Sequence, residues 1–389
     1  MPDPRHEKLA DVLVNYSTAV QPGQIVRLSA PPVATPLLEC LYASVLKAGG
    51  HPVVRCAPES LSGLFYEHAS DAQLDHVSPL RRHEIETIDV SIGLWAEENT
   101  KAMSRVDPKR IARSSAASKD LDRVFFERSA AAEKPEDHPG VRPLRWCGAQ
   151  YPTQASAQDA EMSLREYEDF VFSAGMLDRP DPAGAWRALR DRQQKVVDYL
   201  HGKKRLRFKT DAGTDLEVDV EGMTWINCCG DSNFPDGEVF TGPRLDGPDG
   251  GVNGKVVYSF PAVYGGREVH DIVLTFEKGR VVDARASKGL DYLIAMLDQD
   301  AGGRALGEIA IGTNYAITEY TKNTLFDEKI GGTFHAAVGA GYPETGNANV
   351  STLHWDMVCD LRPGGTIAAD GEVFSRDGAF VFDGWPGRD

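Results

Sequence analysis

The chain has 389 residues, 41% of them hydrophobic and 26% charged, enough for two domains or one large one with a sizeable core. Its formal charge of -16 repels phosphate backbones, which argues against nucleic-acid binding. No run of about 18 apolar residues is present, so no membrane-spanning helix is expected, and the charged opening stretch lacks the apolar core of a secretory signal.

In chain order, Leu9, Val12, Leu13 and Tyr16 repeat at helical spacing over residues 6–20, and Pro22-Gly23 stops them. Residues 25–29 read as a short buried strand, 35–47 as a helix closed by Gly49-Gly50, and the valine-rich 51–56 as a second strand. This β-α-β unit predicts a parallel sheet. Strands over 88–94 and 141–146 and a helix over 110–127 extend it. Two amphipathic helices are expected over 157–174 and 183–200, with a break at Pro180-Asp181-Pro182. The short basic run Lys203-Lys204-Arg205 reads as a solvated helix end.

Beyond that break the texture changes. Segments 205–208, 215–220, 256–260, 268–276 and 280–285 alternate apolar and polar residues between Gly, Asp and Asn turns. One helix is inserted at 290–297. The expected fold is therefore an α/β N-terminal domain with a parallel sheet over 1–180. An α+β, strand-rich C-terminal domain follows over 181–389 and carries the chemistry.

The six cysteines, Cys40, Cys56, Cys147, Cys228, Cys229 and Cys359, are dispersed with no C-x-x-C. They read as buried free thiols of a cytoplasmic protein, not as disulfides or a thiolate zinc site.

The candidate chemistry sits in five C-terminal segments. Pro235-Asp236-Gly237 presents Glu238 at the start of an apolar strand. Glu308 lies in the small, apolar stretch Leu306-Gly307-Glu308-Ile309-Ala310, where a carboxylate is costly to bury unless a cation pairs with it. Leu325-Phe326-Asp327-Glu328 follows, then His335 among small apolar residues. In Thr352-Leu353-His354-Trp355-Asp356-Met357, His354 and Asp356 are two apart and project to one face of a strand.

Each has a plain structural alternative: a solvated glutamate, a hydrogen-bonded core histidine, an Asp–His pair. Together they supply two histidines and four carboxylates within about 120 residues, a nitrogen and oxygen set suited to Zn²⁺, Co²⁺ or Mn²⁺. A carboxylate-rich set with few histidines suits a two-ion hydrolytic centre. Competing signatures fail. His83-Glu84-Ile85-Glu86-Thr87 stops short of H-E-x-x-H and reads as a surface helix turn. No G-x-S-x-G is present, and the glycine-rich 250–255 lacks the P-loop's first glycine and final Ser or Thr.

At these residues the sequence resembles the metallo-aminopeptidase family of aminopeptidase T and aminopeptidase S. The resemblance spans nearly the whole chain. It is carried by Tyr151-Pro152-Thr153, Pro235-Asp236-Gly237-Glu238-Val239-Phe240-Thr241, Gly307-Glu308, Asn323-Thr324-Leu325-Phe326-Asp327-Glu328, His335-Ala336-Ala337-Val338-Gly339 with Tyr342-Pro343, and His354-Trp355-Asp356. It implies a homodimeric exopeptidase that removes N-terminal residues from small peptides or amino-acid amides. It also implies two divalent metal ions per chain (Zn, Co, Mg or Mn). Their ligands map onto Glu238, Glu308, Glu328, His335, His354 and Asp356. Glu308 matches the bridging carboxylate; in the mechanism expected of such a centre, Glu308 or Glu238 takes the proton of a metal-bound water. Tyr342 matches a tyrosine that steadies the oxyanion. Between Glu328 and His335 this chain is longer than several members of the family.

Two alternatives stand beside this. The same fold resembles mononuclear iron enzymes such as 2,5-dihydroxypyridine dioxygenase, for which His335, His354 and Asp356 would form a facial triad. The other is a non-catalytic metal- or peptide-binding dimer.

Overall fold

The computed structural model describes residues 3–247 and 249–387. The chain forms two compact units: Met1–Ala183 with Gly230–Pro235, and Gly184–Cys229 with Asp236–Asp389. The return of Gly230–Pro235 to the first unit has no counterpart in a division at a single point near residue 180.

The first unit is built on a five-stranded parallel sheet. Its strand order is His51–Cys56, Ile25–Ala30, Val90–Trp95, Arg145–Gln150, Asn233–Phe234. Between its first two strands in the chain, the helix Thr35–Lys47 starts with proline in its first turn and buries Leu37, Leu38, Leu41 and Val45. It ends before Gly49, whose φ of +80° only glycine adopts without strain. The strand expected over 141–146 is corrected to Arg145–Gln150. Pro143 lacks the backbone donor a central strand needs. Residues 60–87 form helices Ser60–His68, Asp71–Leu74 and Pro79–Thr87, and only the last was foreshadowed, by the turn at His83.

The helix expected over 157–174 is two helices, Gln154–Asp159 and Leu164–Ala174. Glu161 breaks them at a φ of +61°. Ser163 then opens the second with a capping box, its backbone N–H donating to Glu166 and its hydroxyl accepting from the Glu166 N–H. Lys203-Lys204-Arg205 is no helix end either, since the preceding helix Pro182–Leu200 is over and Arg205 opens a strand.

The second unit contains an eight-stranded sheet and a six-stranded sheet, whose pairings are antiparallel. One apolar core takes side chains from both. Leu206, Phe208, Leu216, Val218 and Leu274 come from the first, and Val239, Ile309, Ile311, Phe334, Ala336 and Val338 from the second. Phe208 and Phe334 meet with ring centroids 4.5 Å apart.

The described cysteines are free thiols, but only Cys147, Cys229 and Cys359 are buried, and Cys56 is exposed. Among the described residues no helix is long and apolar enough to cross a membrane.

Candidate metal centre

The site lies on the face of the six-stranded sheet that the apolar core does not use. Side chains alternate across a strand, so Phe334, Ala336 and Val338 enter the core while His335 and Ala337 point the other way. The same parity places Glu238 opposite Val239. It also sets His354 and Asp356 opposite the buried Leu353, Trp355 and Met357.

Glu308 needs more than parity. Leu306 is a core residue, and an unbroken strand would put Glu308 beside it. The ladder to Thr333–Gly339 shifts register between Leu306 and Glu308, so Leu306 and Ile309 share the core face and Glu308 joins the polar one. Gly307 sits at that shift, and a Cβ there would lie 2.1 Å from the Ala340 carbonyl oxygen. At Gly339, with φ of +104°, a Cβ would lie 2.1 Å from the Leu353 oxygen, so glycine lets the His354 strand close against the His335 strand.

All six candidate ligands converge. The His335 Nε2 lies 3.0 Å from Glu308 Oε1, 3.4 Å from Glu238 Oε2 and 3.9 Å from Asp356 Oδ1. His354 Nε2 lies 3.5 Å from Glu308 Oε2 and 3.5 Å from Asp356 Oδ1. Glu308 thus turns one oxygen to each imidazole. Among the described residues, four sets of potential ligand atoms each fall within 4.8 Å: Glu238, Glu308 and His335; Glu308, His354 and Asp356; Glu328, His335 and Asp356; and Cys228, Asp236 and Glu238. The long interval before His335 does not carry Glu328 away from the others.

Each imidazole is oriented through its far nitrogen. His335 Nδ1 is 2.9 Å from the Glu328 carbonyl and His354 Nδ1 is 2.9 Å from the Ala340 carbonyl. A carbonyl only accepts, so Nδ1–H donates and Nε2 faces the cluster in both rings. Metal-binding histidines are held in this way.

The electrostatics follow from crowding. Burial pushes the Glu238, Glu308 and Glu328 carboxyls upward, against the pull of Lys329 and His335. Burial alone would lower both imidazoles, but the carboxylates around them push His335 and His354 up to about 10. Burial also opposes the Asp356 charge, which His354 nevertheless holds down at about 2. Glu238 Oε2 and Asp356 Oδ1 are buried and accept no hydrogen bond. Hard oxygen donors in surplus, unsatisfied lone pairs and two aimed imidazoles fit divalent cations.

Tyr342 packs edge-on against His354, ring centroids 5.1 Å apart. Although the side chain is partly exposed, desolvation of the phenol and the charges of Glu308, Asp356, Glu328 and Glu238 keep it protonated, hence a donor.

Two functional side chains were not legible beforehand. Lys329 is fully buried. Its Nζ pairs with Glu328 Oε1 and lies 3.6 Å from Glu238 Oε1. Its only signal was adjacency to Glu328. Gln193 is also fully buried and donates to the Cys228 carbonyl (2.8 Å) and the Glu238 carbonyl (3.3 Å), while accepting from Thr313 Oγ1 (2.7 Å). It ties the backbone of Glu238 to its neighbours. A glutamine on the apolar face of the 182–200 helix was the available clue.

A buried to half-buried set of four carboxylates and two oriented imidazoles, on a strand-rich unit that accompanies a parallel α/β unit, defines a divalent-metal protein. Residues 3–380 match the family described as thermophilic metalloprotease (M29), and the chain belongs to that family. Aminopeptidase 2 of Geobacillus stearothermophilus is 30% identical to it, over 97% of this chain and 98% of that one. The structure of wild-type AmpT from Thermus thermophilus matches with a TM-score of 0.81 at 25% identity, covering 97% of this chain and 99% of that one. The 2,5-dihydroxypyridine dioxygenase from Pseudomonas putida KT2440 matches with a TM-score of 0.57 at 11% identity, over 97% and 96%, a likeness of fold.

Proposed function

We propose that the chain is an aminopeptidase that works with two divalent ions, one held by Glu238, Glu308 and His335 and the other by Glu308, His354 and Asp356, with Glu328 completing the shell. The observation that carries this is Glu308, whose two oxygens address the two imidazoles separately. Bound there, the ions supply Lewis-acid charge to a peptide carbonyl and lower the pKa of water.

The side chains do the rest. Glu308 or Glu238 takes the proton of the attacking water and passes it to the leaving amine. The Tyr342 phenol donates to the developing oxyanion. A metal ion or an acidic side chain holds the free α-amino group, which restricts cleavage to the first residue. A small peptide or amino-acid amide is the substrate, a homodimer the assembly and the cytoplasm the compartment.

The mononuclear dioxygenase alternative needs His335, His354 and Asp356 alone and gives no task to Glu238 or Glu308. Elemental analysis of protein purified without chelators and reloaded with Zn²⁺, Co²⁺ or Fe²⁺, followed by assay on amino-acid arylamides, tests the reading. About two Zn²⁺ or Co²⁺ per chain with arylamide hydrolysis is expected. One tightly held iron with turnover of an aromatic diol under O₂ would overturn it.

A further inference from the structure

The buried ammonium of Lys329 faces one part of the ligand set and not the other. Its Nζ pairs with Glu328 Oε1 and lies 3.6 Å from Glu238 Oε1. Among the described residues it forms no ion pair with Glu308 or Asp356. The other Glu238 oxygen, Oε2, lies 3.4 Å from His335 Nε2. Glu238 thus divides its oxygens between an ammonium and an imidazole, whereas Glu308 divides its own between two imidazoles.

The turn that presents the ammonium is tied down. The Lys329 N–H donates to the Phe326 carbonyl at 3.0 Å, and the Lys329 carbonyl accepts from the Asn314 N–H at 3.1 Å. Asn314 in turn donates from its side chain to the Asp236 carbonyl at 2.8 Å, which joins this turn to the segment that carries Glu238. Burial disfavours the charge, but Glu238, Glu328 and Asp236 outweigh it and hold the side chain as an ammonium.

The ligand sets of the two ions therefore differ in charge. The position at His335 draws on Glu238 and Glu328, and each of these already turns an oxygen to Lys329. The position at His354 draws on Glu308 and Asp356, and neither of these does. A carboxylate oxygen engaged by an ammonium has less charge to give a metal ion. A neighbouring ammonium also repels a divalent cation, most strongly where water is excluded. Both effects fall mainly on the His335 position.

We propose that Lys329 is a positioning residue that makes the two ion positions unequal, so that the ion at His354 is held tightly while the ion at His335 is held loosely and exchanges with solution. The inference rests on the two-ion reading above. It describes an enzyme that keeps one ion through purification and draws its second from the free metal around it, so that activity follows metal supply.

The test needs no substrate. Metal-free full chain is dialysed against a series of buffered free Co²⁺ concentrations, and bound cobalt per chain is measured. Wild type is expected to load in two steps whose midpoints differ by at least about tenfold. In Lys329→Met the weaker step is expected to move toward the tighter one, and in Lys329→Arg to stay where the wild type has it. In Glu328→Gln the weaker step is expected to weaken further while the tighter one holds. A lysine that only supported the fold would shift both steps together. Two steps of equal affinity in the wild type would overturn the proposal and leave the two-ion reading standing. So would a weaker step that Lys329→Met leaves unmoved or weakens. Should Lys329→Met not fold, Glu328→Gln decides: a tighter step that shifts, or a weaker one that does not, overturns the proposal. A single step of one cobalt per chain at saturation would overturn the two-ion reading and this inference with it.

Discussion

The two sheets of the second unit use their faces differently. In the eight-stranded sheet, strands such as Arg205–Thr210 and Asp215–Asp219 bury alternate residues and expose the rest, where Arg205 meets Glu217 at 2.7 Å and Arg207 meets Asp215 at 2.8 Å. In the six-stranded sheet, every residue of Leu306–Gly312 and of Thr333–Gly339 is buried. Their core face is apolar like the other sheet's, but the opposite face buries Glu308 and His335 instead of exposing them. Charges in water pair cheaply and weakly. Buried charges must be matched by others at close quarters, and that need gathers six candidate ligands and a lysine.

The contrast can be broken first at the ligands. Replacing His354 or Asp356 with alanine is expected to abolish both metal retention and turnover, by more than about a thousandfold in kcat/KM. Elemental analysis and arylamide assays check it, and near-wild-type activity in either variant would remove that residue from the site. Next in size is Lys329→Met. Removing the cation strands Glu238 and Glu328 in a dry site, so urea unfolding of the metal-free protein should show a loss of about 3–5 kcal/mol. Bound divalent ions would recover part of it, and an equal loss with and without metal would mean that Lys329 does not serve the carboxylates.

A smaller effect is expected at Asp300, which accepts from Gly302 N–H, Ser351 Oγ and Thr352 N–H and Oγ1, pinning the segment that leads into His354. The backbone bond from Thr352 and the hydroxyl bonds outweigh burial and lower its carboxyl to about 2. The folded pKa is below the unfolded one, so the stability Asp300 adds is present above about pH 4 and fades as pH falls toward 2. Asp300→Asn should cost about 1–2 kcal/mol at neutral pH and flatten that acid limb in thermal melts. Least affected should be Glu217→Ala, on the exposed face, with a change within about 1 kcal/mol. A larger loss there would erase the distinction between the two sheets.

The same contrast governed what the sequence disclosed. Alternating strands and the β-α-β opening were readable because half-buried elements print their period in the chain. The helix Thr35–Lys47 and the strand His51–Cys56 were read to the residue. Glu308, His335, His354 and Asp356 stood out because charge in an apolar segment calls for an explanation. The register shift at Gly307 left no such mark: a glycine before a glutamate is common, and only the neighbouring strand shows why a Cβ is intolerable there. Lys329 and Gln193 were hidden for a related reason. Each looks like a solvated polar residue of a helix or turn, and the groups that bury them lie far away in sequence. The break at Glu161 was missed because helical periodicity continues across it.

The hexapeptide Gly230–Pro235 bears on how such a protein can be taken apart. Its strand Asn233–Phe234 joins the parallel sheet beside Arg145–Gln150, yet four residues later the chain delivers Glu238. A gene fragment beginning at Gly184 would encode all six candidate ligands and still carry a strand with no sheet to enter. The two units are therefore interleaved along the chain. Recombination that swaps one for a homologue's must exchange this short internal stretch as well, or accept a mismatched strand a few residues before Glu238 in the chain.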